Sequence, residues 1–477
     1  IISGDNVAYD GDYVISMGGN HNVLHGVGLI HGGNIQTEYL SNNYRTRGIS
    51  IFGQYNTIDS CWVRGMTEGI VLSGTSPRYH KIRWNRVHNT VNNGIICGGS
   101  NDGTTSYMAV LIQGNNVDSC GEDNIQFQPG TDPYSYDKNK GYVIRENYLA
   151  RAYENAIDRK GAAFVVVENN IIHTANSDDD GWVNGSEDWG TGPLIERGNP
   201  ETINEYYCLD RGNAMWDGPG GITISHGGQF INNLMANNRR KLSVSNTSDS
   251  TEDALKDINL EGSSTTRSVL NNILIGQPNH SYVWLWNMET SPLDIDNQLY
   301  YDSTGTLRFY YRLSGGTSAK VYGLSAWQSR LNTTYTSFTG RDAHALSANP
   351  LFVNFPFRPY NYNASWDWSL DAGSPAIGAA RCWTFASGAG SPSTSLVVDN
   401  PYVFTDGFGI VQGDSIDIDG DVRRITSINY STSTITLSSG ASWSDNDSVW
   451  FYTAGARVTN LGPYANVTTV VDTGGDP

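Results

Sequence analysis

An asparagine stands at one fixed offset between two apolar residues six times in this chain: Ile82–Asn85–Val87, Ile112–Asn115–Val117, Ile144–Asn147–Leu149, Val166–Asn169–Ile171, Phe230–Asn233–Met235 and Val269–Asn272–Leu274. Ile58–Cys61–Val63 has the same form with cysteine in the asparagine place. A second column of short apolar runs keeps step with the first: EGIVLS from Glu68, NGIICG from Asn93, DNIQFQ from Asp123, NAIDRK from Asn155 and GGITIS from Gly220. Their lead isoleucines, Ile70, Ile95, Ile125, Ile157 and Ile222, are 25, 30, 32 and 65 residues apart. The last step is two ordinary steps, or one carrying a long insertion. Self-similarity at 20–50 residues per unit marks a solenoid. These units are β-rich runs split by Gly, Asn and Asp, with no helical period between them, so the solenoid is a parallel β-helix. Coils then stack about 4.8 Å apart. An asparagine repeated at one turn bonds its counterparts above and below, and these asparagines are read as structural.

At 477 residues a large core is available, and solenoids escape the usual domain size limit. The 53 glycines and 27 tyrosines suit a turn-rich β protein. A net charge of −18 makes nucleic acid an unsuitable partner. No apolar run is long enough to cross a membrane as a helix. Five cysteines, at 61, 97, 120, 208 and 382, lack metal-site spacing and are expected to be buried thiols. No leader is visible ahead of the β-rich sequence at Ile1, as expected of a mature, secreted polypeptide, and a monomer is expected.

The β-helix is expected over 1–385, broken by a long loop at 177–220. That loop carries Trp182, Trp189 and Trp216 among many acids. Aromatic platforms beside carboxylates suit a sugar ring, which has apolar faces and hydroxylated edges. Alternating strands with short turns at 386–456 predict a small inserted antiparallel β module, with 457–477 closing the chain. Asp414, Asp417, Asp419 and Asp421 in that module read as ordinary turn and surface acids.

Strand alternation puts residues 126, 128, 158, 160, 223 and 225 on one outward face. Lys160 is then expected in line between Gln128 and Ser225, with Asp158 beside it. Arg159 falls in an inward column, which strand alternation leaves unexplained.

The rungs resemble the right-handed parallel β-helix superfamily of polysaccharide-active proteins. GRDAHALSANPLFVN and WSLDAGSPAIGAA are similar to closing segments of its secreted bacterial members. ENAIDRKGAAFVVVENN is similar to the lysine rung of polysaccharide lyase family 6, the alginate lyases and chondroitinase B. The resemblance implies Lys160 as the base, and Asn169 follows it at the family's spacing. ITISHGG resembles the family's next rung, matching at His226 and Gly227, but Ser225 replaces the arginine that assists as acid. His226, Arg211, Arg197 and Tyr153 are the candidate replacements. Asp179–Asp180–Gly181–Trp182 resembles the calcium-binding stretch of family 9 pectate lyases. By that likeness Glu154, Asp158, Asp179 and Asp180 are candidate Ca²⁺ ligands. Gln126, Gln128, Asp158, Trp182, Trp189, Trp216 and Arg197 are candidate substrate contacts.

The activity this implies is β-elimination on a uronate polymer, an anionic polysaccharide such as alginate. A base removes the C5 proton once the neighbouring carboxylate is neutralised. A lysine does so if its pKa is brought down from about 10.4, with Arg159 a candidate cause. Two alternatives stand beside it. A glycoside hydrolase needs two carboxyls about 5–9.5 Å apart, and Glu122, Asp123, Asp158, Glu154 and the 178–180 acids supply candidates. A non-catalytic, tailspike-like glycan binder is the other. A protein this acidic repels a polyanion at low salt, whereas at marine ionic strength the Debye length is only a few ångströms.

Overall fold

A computed structural model describes residues 2–3, 13–30, 47–72, 78–98, 109–128, 140–159, 162–173, 194–197, 207–218, 220–224, 228–236, 238, 256–261, 267–276, 281–303, 305–356 and 363–464. Three long sheets of 12, 11 and 12 strands run through it, strands of successive coils pairing side by side, except that the last strand of the first sheet, Ser318–Tyr322, folds back antiparallel on Arg308–Arg312. In chain order around a coil they are named sheets I, II and III here. In one coil these are Ile125–Gln128, Lys140–Arg145 and Tyr148–Ala152. The rungs pair parallel throughout these coils, and crossovers between parallel strands are right-handed. This is the right-handed parallel β-helix expected from the repeats.

Register explains the isoleucine column. Ile70, Ile95, Ile125, Ile157, Ile195, Ile222 and Ile258 are successive Cα partners in sheet I. All are at most 1% exposed. Burial of each contributes about 1.5–3 kcal/mol. Ile195 shows that the 65-residue step is two coils. The rung Ile195–Arg197 sits at the end of the acidic stretch, where one apolar residue followed by Glu196 and Arg197 looks like loop.

The corner between sheets II and III is two residues long at coil after coil, as from Arg83 to Arg86, Gln113 to Asn116, Arg145 to Tyr148 and Arg211 to Ala214. Its first residue is left-handed: Trp84, Gly114, Glu146, Asn169, Gly212, Asn232, Asn271 and Asn297 all have φ between 54° and 66°. Its second residue carries the ladder amide. The amide oxygen of Asn115 accepts from both the backbone N–H (3.0 Å) and the side-chain N–H (2.9 Å) of Asn85. The same double bond links Asn115 to Asn147, Asn147 to Asn170, Asn170 to Asn213, Asn213 to Asn233, Asn233 to Asn272 and Asn272 to Gln298. The ladder thus takes Asn170, not Asn169, and includes Asn213 and Gln298, which the repeat pattern missed. Cys61 opens it, its N–H donating to Asn85 at 2.8 Å.

The outer faces of two sheets are roofed by C-terminal chain. On sheet III, Ile171, Trp216, Leu234 and Ile273 pack with Phe355, Trp368 and Ala376. On sheet II, Val166, Leu209, Ile231 and Leu270 form one cluster with Trp383, Phe404 and Phe451. Phe404 and Phe451 belong to the expected antiparallel unit, whose strands run from Thr384–Phe385 to Ala456–Arg457, and Trp383 directly precedes it. The helix Leu324–Thr334 closes the end of the solenoid with Trp327 and Leu331. The Trp327 ring stacks on Phe309 at 4.6 Å.

Candidate functional site

Sheet I presents a different outer face. In register across its coils the outward residues are Val71, Ile96, Gln126 and Asp158, and Glu196 holds the next register position by its backbone. Thr223 continues the column as the residue after Ile222, the partner of Ile195, and Asn259, Trp284 and Tyr310 follow it. An apolar start therefore gives way to polar residue types at five register positions, followed by aromatic rings of which Trp284 and Tyr310 are buried and Trp286 is partly exposed. Trp284 stacks on Trp286 at 5.9 Å and lies 4.3 Å from Tyr310. Arg312 sits 4.4 Å over the Trp286 ring. Trp284 and Trp286 share a face because the run SYVWLW alternates, with Val283 and Leu285 in the core. That alternation was the available signal for this platform, and sequence reasoning passed over it. It also passed over Glu196, the register neighbour of Asp158.

The long connections gather around this sheet. Between sheets I and II the chain runs from Gly98 to Val110, Gln128 to Lys140 and Arg197 to Cys208; between sheets III and I, from His173 to Ile195 and Ala236 to Lys256. Lys160, His226, Trp182, Trp189, Asp179 and Asp180 lie outside the described residues. Gln128 and Arg197 are placed by backbone alone. The expected line through residues 128, 160 and 225 omits a coil, because the strand Ile195–Arg197 stands between those of Ile157 and Ile222.

Several expected contacts take other roles. Asp158 is 0% exposed and Gln126 7%, so neither stands in an open groove. The Gln126 amide donates to Asp123 at 2.9 Å. Trp216, expected to meet substrate, is 0% exposed. Its ring stacks on His173 at 4.9 Å and is walled by Phe355, Trp366 and Trp368. Burial pushes the His173 pKa down to about 3, and its Nε2 is 2.8 Å from the Tyr148 hydroxyl. Tyr153 and Glu154 stand half-buried in the turn before Ile157–Arg159. Their N–H groups donate to Cys120 and Glu122 of the previous coil.

Arg211, a candidate acid, is held away from sheet I. It lies on the outer face of sheet II, 1% exposed, bonded to Glu168 at 2.6 Å and to Asp414 at 2.7 Å. Those two carboxylates keep its guanidinium charged, so it is a cross-link to the antiparallel unit. Asp414, read as a turn or surface acid, is buried there.

Arg159 does occupy the inward column. Its Nη1 donates to both oxygens of Asp210 inside the helix, at 3.0 and 2.9 Å. Burial raises the Asp210 pKa and the guanidinium pulls it back. A charge neutralised this way does not lower a neighbouring lysine, so Arg159 is removed as the cause proposed for Lys160.

Calcium was expected from Glu154, Asp158, Asp179 and Asp180. Among the described residues no group of three His, Cys, Asp or Glu side chains could hold a metal ion. Asp158 is on the strand while Glu154 is in the turn before it. The described residues do not fit a calcium site, and no step is derived through one.

The sequence matches no protein-family profile and no curated protein. Solved structures do resemble it. Pectate lyase Pel9A superposes with a TM-score of 0.42 at 11% identity, over 82% of this chain and 84% of that one. A PL6 family alginate lyase, AlyGC, gives 0.32 at 11%, over 65% and 48%. The catalytic unit of an α-1,3-glucanase of family GH87 from Streptomyces thermodiastaticus gives 0.36 at 13%, over 64% and 61%. The chain spans less than two thirds of the alginate lyase and glucanase chains. These proteins include both lyases and a glucanase, so the choice between chemistries rests on this chain's own residues.

Proposed function

We propose that this protein degrades a polysaccharide bound along the outer face of sheet I, and that it cuts a uronate-containing chain by β-elimination. The observation behind it is the outward column of sheet I, in which the partly exposed Thr223 and Asn259 lead to the stacked Trp284 and Trp286, Trp286 itself partly exposed. A few polar groups ending on aromatic surfaces suit a chain of sugars. The long connections that leave from the ends of sheet I favour the same face.

In this reading Lys160, next in sequence after the strand Ile157–Arg159, removes the C5 proton. The C5–H electron pair forms the C4=C5 double bond, the C4–O bond breaks, and the departing oxygen takes a proton from an acid. Tyr153, at the turn into that strand, and His226 are the acid candidates once Arg211 is removed. The protein is proposed to act outside the cell as a monomer. Its charge of −18 makes added salt raise its activity on a polyanion.

Hydrolysis is the second reading, and one observation favours it. Asp158 and Glu196 are Cα partners on adjacent coils. Their backbones are one coil spacing apart, about 4.8 Å, and retaining glycosidases need two carboxyls roughly 5–5.5 Å apart. The two readings separate in one assay on alginate, pectate, glycosaminoglycans and neutral glycans. Elimination gives products absorbing near the ultraviolet band of an unsaturated uronate, and Lys160→Ala abolishes them. Reducing ends without that absorbance, lost in Asp158→Asn and Glu196→Gln but kept in Lys160→Ala, would replace elimination by hydrolysis. No cleavage of any polymer would sink both.

A further inference from the structure

A second site lies on the other side of the molecule, where the roof over sheet II does not seal. A cavity of about 290 Å³ opens between the solenoid and the antiparallel unit. Arg145, Asn169 and Arg211 line it from the solenoid, and Asp414, Arg424 and Tyr464 line it from the C-terminal chain. It opens to solvent beside Arg424, which is exposed.

Three polar atoms on its walls are buried without a hydrogen-bond partner: Arg145 Nε, Asn169 Oδ1 and the Tyr464 hydroxyl. Folded proteins leave only a few such atoms per hundred residues, and here three belong to the lining of one cavity. Asn169 is available because the ladder uses Asn170, leaving Asn169 as the left-handed corner residue with φ 54°. Gly212, the corner residue one coil on, lets Asn169 and Tyr464 pack closely against the backbone beside the cavity. A Cβ on Gly212 would lie 2.4 Å from Asn169 Oδ1 and 2.9 Å from the Tyr464 ring. Its φ of +64° also favours glycine there.

The chemistry of the walls narrows the ligand. Arg145, Arg211 and Arg424 are matched by Glu146, Glu168 and Asp414, so the cavity demands no net charge. Arg211 is already held by Glu168 and Asp414. The unsatisfied set contains an N–H donor, a carbonyl acceptor and a hydroxyl able to do either. A ligand rich in hydroxyls answers both kinds, because each hydroxyl donates and accepts. The volume lies just under the usual 300–1,000 Å³ of ligand pockets, room for one ring. We propose that this seam binds a single neutral sugar residue, at a site separate from sheet I. The choice of a sugar among hydroxyl-rich molecules rests on the polysaccharide reading above.

The test uses the full chain and methyl glucoside, mannoside and galactoside as probes, read by saturation-transfer NMR. The expected result is millimolar binding of at least one hexoside, weakened at least tenfold in Tyr464→Phe and in Arg145→Met. Tyr464→Phe keeps the ring, and its hydroxyl has no partner to lose. The ligand-free melting temperature should therefore hold or rise, and polymer cleavage should be unchanged. The proposal is overturned by no hexoside binding, by binding equal in wild type and Tyr464→Phe, or by binding of hexuronates alone. A fall in the ligand-free melting temperature of Tyr464→Phe would also overturn it, since the hydroxyl would then serve the fold. If sheet I proves inactive while hexosides still bind and Tyr464→Phe still weakens them, the seam site stands and the cleavage reading falls.

Discussion

Asp342 allows a sharp test of the solenoid's closed end. It follows the capping helix with a left-handed φ of 55° and is 0% exposed. The Tyr300 hydroxyl and the Trp327 indole both donate to its Oδ2, at 2.6 and 3.0 Å. Its Oδ1 is buried with no partner. Burial raises its pKa from 3.8 to about 7, outweighing the two donors, with the Asp296 charge adding to the rise. A carboxyl with a raised folded pKa holds a proton that the unfolded chain has released, so its contribution favours folding below pH 4. That contribution is lost as pH climbs towards 7. At about 1.4 kcal/mol per unit over roughly three units, the loss by neutral pH is about 4 kcal/mol. Asp342→Asn keeps an acceptor for Tyr300 and Trp327, tolerates the left-handed backbone and removes the titration. The variant should match wild type near pH 4 and exceed it by up to about 4 kcal/mol at pH 8. Urea unfolding followed by tryptophan fluorescence at both pH values measures this. The difference between variant and wild type cancels the buried histidines His80 and His173, whose pKa values lie near 4 and 3. A gap that does not change with pH, or a variant weaker than wild type at pH 8, would refute the reasoning.

Two further perturbations probe the frame. Asn147→Ala strands the N–H groups of Asn115 and the carbonyl of Ile112 inside the core. At about 1–3 kcal/mol for each orphaned group, it should cost at least about 3 kcal/mol in urea unfolding, whereas Asn169→Gly, outside the ladder, should cost less than about 1 kcal/mol. Arg211→Met leaves Glu168 and Asp414 buried without their cation, a loss of about 3–5 kcal/mol at neutral pH. That loss should shrink as pH falls and Asp414, whose pKa burial raises, takes up a proton, with limited proteolysis reporting release of the antiparallel unit.

The fold was legible because stacked coils write themselves as columns, and register errors account for most of what was misread. VVVENNII contains two adjacent asparagines. Val166–Asn169–Ile171 and Val167–Asn170–Ile172 both satisfy the repeat, and only the coil above and below selects the second. With Asn213 unrecognised as a ladder residue, Ala214–Trp216 read as part of an aromatic loop. Its tryptophan is in fact a roofed residue on sheet III. Arg159 looked anomalous because its partner, Asp210, is 51 residues away. Strand alternation gives an inward charge no partner until the neighbouring coils are placed. The site was legible only in part. Gln126 and Asp158 were assigned to the outward face correctly, but alternation cannot tell an outward residue from an exposed one, and both are buried.

The division of labour among the three sheets follows from the same physics. A corner that closes with one left-handed residue and one ladder amide cannot take an insertion without breaking two hydrogen bonds on each side. The corner between sheets II and III is therefore held at two residues. Chain added over the outer face of sheet II or III would have to displace the C-terminal roof and expose Trp383 or Trp368. The corners flanking sheet I carry neither constraint at every coil, and lengthening a loop there costs only slowly with length. The long connections thus start and end at sheet I, the sheet that no C-terminal cluster covers among the described residues. The sheet with the least constrained corners is therefore the same sheet on which the proposed substrate would lie.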